Sequence, residues 1–122
     1  MGRKHLIVGN HDEYWLKNET KNVHKYFESI NYMDLIKDGE KSITLCHYPM
    51  FEWNRSRYII SQEDSMFWHV HGHIHNTQDC DAYKLIKEKL VCALNAGVDI
   101  NNFEPVTFEE LLANNNKWYG RT

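Results

Sequence analysis

No apolar run in this sequence approaches the ~20 residues of a membrane-spanning helix. The start, Met1-Gly2-Arg3-Lys4-His5, leads only into Leu6-Ile7-Val8, which is not a secretory signal pattern. Cysteine is sparse and odd in number. Cys46, Cys80 and Cys92 cannot make a closed disulfide framework, and no pair has zinc-finger spacing. A reducing, cytoplasmic setting is expected. Positive charge is also short: 14 Lys and Arg face 17 Asp and Glu, giving a net charge of −3 and a pI of about 6.2. Proteins that hold duplex nucleic acid through its phosphates are normally basic. Nucleic acid is therefore expected only as a substrate. Repeats, linkers and low-complexity tracts are lacking. The 122 residues (14.6 kDa), 42% hydrophobic and 25% charged, fit one globular domain spanning 1–122.

Histidine is what the chain has in excess. There are 8, and four of them stand at 69, 71, 73 and 75. The hydropathy pattern supplies their context. Lys4 to Val8 reads as a short buried strand, broken by Gly9-Asn10-His11-Asp12. Val23, Tyr26, Phe27 and Ile30 fall at i, i+3, i+4 and i+7, which predicts a helix. Glu13 to Leu16 suggests an earlier turn of the same region. Strands are expected over Tyr32–Lys37 and Ser42–Cys46, joined at Asp38-Gly39. Pro49 stops the second of these after His47. Phe67 to His71 is a further strand, 81–89 a short amphipathic helix, and Leu90 to Leu94 another strand. Thr107 and Glu110 form a capping box, with Val106 and Leu111 placed as a staple. It opens a C-terminal helix over about 108–114.

If residues 69–75 were all extended, the four imidazoles would share one face. Gly72 instead suggests that the chain leaves the strand there. His73 and His75 then become the metal-ligand candidates, and His69 and His71 core or supporting residues. Gly9-Asn10-His11-Asp12 offers an amide oxygen, an imidazole and a carboxylate directly after a strand. His47 ends another. Parallel strands put their C-termini on one sheet edge, where α/β proteins build their sites. Arg55 and Arg57 lie in the loop between two motif strands, and their guanidinium forks suit phosphate.

Gly9-Asn10-His11-Asp12, Leu45-Cys46-His47 and Gly72-His73-Ile74-His75, in that order, resemble the motifs of the calcineurin-like metallophosphoesterases. The likeness runs from about Lys4 to the Asn95–Leu112 segment. It implies an α/β chain forming part of a four-layer αββα fold, with motif residues at the C-terminal ends of short strands. It implies Asn10, His47 and His73 as ligands of one divalent metal and His75 as a ligand of a second. His11 resembles the histidine that protonates the leaving group, and Asp12 takes the acidic place beside it. The implied activity is hydrolysis of phosphomono- or diesters by a metal-activated hydroxide. Manganese, iron, zinc and nickel all suit mixed oxygen and imidazole donors.

The family's D-x-H and G-D-x-x-D motifs should precede Gly9, where only eight residues stand. The resemblance is thus to the C-terminal half of the family's domain. The aspartate that bridges two metals is among the missing residues. Two divalent cations about 4 Å apart repel by roughly 17 kcal/mol at an effective dielectric of about 20. The expectation is weak or incomplete hydrolysis. The alternative is a catalytically inactive module of the same fold that binds one metal or a protein partner. A half-domain would also expose apolar surface, so a homodimer is expected, with Leu6, Tyr26 and Phe27 as interface residues.

Overall fold

A computed structural model describes residues 2–18 and 25–121. The described chain is mixed α/β, with two sheets and three α-helices. Strand β1 (His5–Ile7) pairs in parallel with β2 (Ser29–Asn31) as a two-stranded sheet, and α1 (Asp12–Asn18) follows β1. The second sheet has the order β3 (Met33–Asp38), β4 (Lys41–Cys46), β5 (Phe67–His71), β6 (Ala93–Asn95). β3 and β4 are an antiparallel hairpin, while β4, β5 and β6 run parallel. Two further helices, α2 (Asp81–Lys89) and α3 (Phe108–Trp118), flank β6 in sequence.

Residues 25–30, the described part of the helix expected around Val23 to Ile30, are not helical. Val23 lies outside the described residues, Tyr26 sits in a turn, and Ile30 is the centre of β2, opposite Leu6. β-branched Ile30 gains a parallel partner in Leu6, and that tertiary pairing overrides the local helical spacing. A helix does form earlier, where Asp12 and Glu13 in the first turn and Lys17 in the last complement its dipole. The hairpin turn is Gly39-Glu40, since Asp38 pairs with Lys41. Gly39 takes the positive φ (61°) that a two-residue turn needs at its first central position. The last strand is shifted as well. Leu90 stays bonded to Ile86 of α2, so residues 90–92 turn and β6 begins at Ala93.

The other elements stand close to expectation. α3 carries its capping box: Glu110 N–H donates to Thr107 Oγ1 (3.2 Å) and Thr107 N–H to Glu110 Oε1 (3.0 Å). It runs four residues beyond the expected end at 114, to Trp118. The core joins Ile43, Trp68 and Leu94 of the sheet to Tyr83 and Ile86 of α2, Leu111 of α3, and Tyr119. Trp68 meets Phe108 edge to face at 5.0 Å. Burial of these residues fixes the register of β4, β5 and β6, because a one-residue slip would expose every inward side chain. Parallel pairing then brings the C-terminal ends of β4, β5 and β6 to one edge.

Candidate metal centre

Three strand ends supply the site. β1 runs out through Gly9 to Asn10, β4 into His47, and β5 into Gly72-His73. Gly72 N–H donates to the His47 carbonyl (2.8 Å), holding two of these ends together. The first end is held by Asp12, whose Oδ2 accepts from Gly9 N–H (2.8 Å) while Oδ1 accepts from Trp15 Nε1 (3.0 Å). Gly9 is needed for close approach. A Cβ there would lie 2.7 Å from His47 Nδ1.

The result is a triangle of donor atoms. His47 Nε2 is 2.8 Å from Asn10 Oδ1 and 3.2 Å from His73 Nδ1. His73 Nδ1 is 3.3 Å from Asn10 Oδ1. Ligands held about 2.1 Å from a common ion are about 3.0 Å apart at octahedral and about 3.4 Å apart at tetrahedral angles. The two edges at His73 fall in that range, the His47–Asn10 edge is shorter at 2.8 Å, and the donor set of one amide oxygen and two imidazoles fits a divalent transition metal. Burial, followed by the neighbouring His73, holds the His47 imidazole below its usual 6.5, and Asp12 partly opposes this. A lowered value keeps the ring neutral, the form that ligates. Among the described residues, no three His, Cys, Asp or Glu side chains group as a metal site. The triangle depends on an asparagine.

His73 and His75 both have left-handed backbones, with φ of 69° and 53°. For residues other than glycine this costs on the order of 1–3 kcal/mol each and concentrates at functional sites. The turn separates these two histidines from the strand histidines, as Gly72 suggested. His69 is fully enclosed: Nδ1–H donates to the Thr44 carbonyl (2.9 Å), and Nε2 accepts from Met50 N–H (3.0 Å). His71 donates from Nδ1 to the Gly72 carbonyl (2.9 Å). Its Nε2 is buried and has no partner. Both are supporting residues of the sheet.

His75 lies beside Asp99, with Nδ1 3.4 Å from Oδ2. His11 is exposed between Asn10 and α1, near enough to His47 to disfavour its protonation. Arg55 and Arg57 are not brought to the triangle. Arg55 lies over the Phe67 ring at 5.7 Å, and Arg57 donates to Tyr58 OH at 3.0 Å. They line a separate cavity of about 400 Å3 with Glu52, Trp53, Ser56 and Tyr58. Tyr48 and Asp99 are the residues that sequence reasoning missed. The Tyr48 ring packs against His47 (5.1 Å) and His73 (4.8 Å). Asp99 follows the glycine after β6, so the strand-end logic that found His47 could have found it.

Comparison with protein-family models finds no match, and comparison with curated proteins finds none. Among solved structures, the chain is similar to the protein of unknown function AQ665 from Aquifex aeolicus. Identity is 28% and the TM-score 0.60, over 89% of this chain and 59% of that one. The likeness supports the mixed α/β fold, and this chain spans about three-fifths of the length of the protein it matches. No helix among the described residues is long and apolar enough to cross a membrane.

Proposed function

We propose that the chain carries the metal centre of a metal-dependent phosphoesterase of the calcineurin-like kind, with a phosphomono- or diester as substrate. The donor triangle of Asn10, His47 and His73 is the observation that carries this reading. A bound manganese, iron, zinc or nickel ion would polarise a phosphoryl oxygen and acidify water. The chain's own residues do the rest. Asp12 holds the Gly9-Asn10 turn in place through Gly9 N–H. His11, exposed beside the triangle, is the proton donor for a departing alkoxide. His75 is a further donor on the same loop as His73.

A second reading, a module that binds metal without turnover, draws support from the neutral donor set. The Asp12 carboxylate already accepts from Gly9 and Trp15. Calorimetry with zinc and with manganese, paired with hydrolysis of bis(p-nitrophenyl) phosphate, tests both. The wild type is expected to bind metal, and His73→Ala to bind it at least about tenfold more weakly. Hydrolysis is expected to be slow, and to vanish in His11→Ala while metal affinity stays. Equal metal affinity in wild type and His73→Ala sinks the proposal. Binding with no His11-dependent hydrolysis selects the second reading.

A further inference from the structure

We infer that Asp99 is a positioning residue for His75, fixing the proton on its Nδ1 and leaving Nε2 as the donor that the loop presents. The inference deepens the metal-centre reading and rests on it for the consequence at the metal, though not for the dyad itself.

The carboxylate has no other evident employment. Asp99 is the middle residue of the 3-10 turn Val98–Ile100, whose N-cap is Gly97. His75 is its one ion-pair partner among the described residues. Its Oδ1 is buried without a hydrogen-bond partner. A buried carboxylate oxygen left unpaired costs stability, so packing alone gives no reason to keep it.

The segment that carries Asp99 is tied to the backbone of His75 by hydrogen bonds. Asn95 Nδ2 donates to the His75 carbonyl (2.8 Å), and Asn95 Oδ1 accepts from Gly97 N–H (2.9 Å). Asn101 Nδ2 donates to the carbonyls of Asn95 (3.1 Å) and Gly97 (2.8 Å). Asn115 of α3 accepts from Asn95 N–H (2.7 Å) and donates to its carbonyl (3.0 Å). All three asparagines are buried. Gly97 lets the two segments meet. A Cβ there would stand 2.9 Å from Asp99 Oδ1 and 3.7 Å from His75 Cα. One asparagine network therefore sets both the left-handed backbone of His75 and the carboxylate facing its ring. A ligating histidine is commonly oriented in this way, its second ring nitrogen donating to a carboxylate.

Long-range proton–nitrogen correlation spectra of the metal-free protein at pH 8 read which His75 nitrogen carries the proton, with His75→Gln giving the assignment. The wild type is expected to show Nδ1–H, and Asp99→Ala to shift mainly to Nε2–H. Zinc affinity by calorimetry is expected to fall about 10- to 100-fold in Asp99→Ala. Nε2–H in the wild type overturns the inference by itself, even if the variant does not fold. So does an Asp99→Ala protein in which the His75 proton stays on Nδ1. If the wild type binds no zinc, the metal-centre reading fails, and the wild-type tautomer alone decides the dyad.

Discussion

Gly9 lies against the His47 ring, so one added methyl reaches the donor triangle directly. No strained backbone is involved there, because the positive-φ glycines are Gly39 and Gly120. Gly9→Ala would put a Cβ within 2.9 Å of three His47 ring atoms, and the ring has to swing away from Asn10 and His73. Zinc affinity is expected to drop at least about tenfold, as when a ligand's support is removed. Gly2→Ala, whose Cβ meets nothing within 4 Å, serves as the control. Calorimetry on the two variants checks this, and matching affinities would contradict the ring-contact argument. That Asn10, His47 and His73 come together was expected from their places after three short strands and from the resemblance that grouped them. Asp99 also lies just past a strand end, but its pairing with His75 was not legible, because His75 reaches it through a left-handed turn that no spacing rule encodes. Arg55 and Arg57 looked phosphate-ready by type, but their aromatic neighbours Phe67 and Tyr58 occupy them instead.

The strands that bury polar side chains bring a pH dependence with them. β5 encloses His69 and His71 between neighbouring strands. Burial pulls His71 from 6.5 down to about 4 and moves His69 the same way. The unfolded chain thus takes up a proton that the folded chain refuses. Stability from this source is fully present above about pH 6.5 and is lost as pH falls towards 4. At about 1.4 kcal/mol per pH unit, His71 alone accounts for roughly 3 kcal/mol. Urea midpoints of the metal-free protein should fall steadily from pH 7 to pH 4.5, and the fall should be shallower in His71→Gln. A flat profile would show that His71 takes up its proton without unfolding. Element by element, β4, β5, α2 and the start of α3 could be read from apolar runs and a cap, since local preference and burial agree there. Residues 25–30 could not. Their helical spacing lost to a strand pairing with Leu6, a partner 24 residues earlier than Ile30.

On the scale of the whole molecule, apolar surface remains uncovered. Among the described residues β3 has β4 on one side only, and Met33, Leu35 and Ile36 along it are all exposed. β1 and β2 stand as a two-stranded sheet, a form that is marginal without further packing. Tyr26 and Phe27 are not in a helix, and among the expected interface residues Tyr26 is the exposed one. A homodimer with β3 at its interface is the expected outcome, since an exposed edge that carries Met33, Leu35 and Ile36 beside Asp34, Lys37 and Asp38 can pair antiparallel with its own copy. Light scattering at micromolar concentration should give about twice 14.6 kDa, and Leu35→Lys should return the monomer mass. A wild-type mass of 14.6 kDa with a cooperative melt refutes it. The donor triangle also has a topological meaning. Asn10 and His47 are 37 residues apart, and His47 and His73 are 26 apart. A cation gripping all three would close both loops at once, as a pair of reversible cross-links. The unfolded chain would lose loop entropy it could recover only by releasing the ion. Metal supply would then set the lifetime of the folded chain as well as its chemistry.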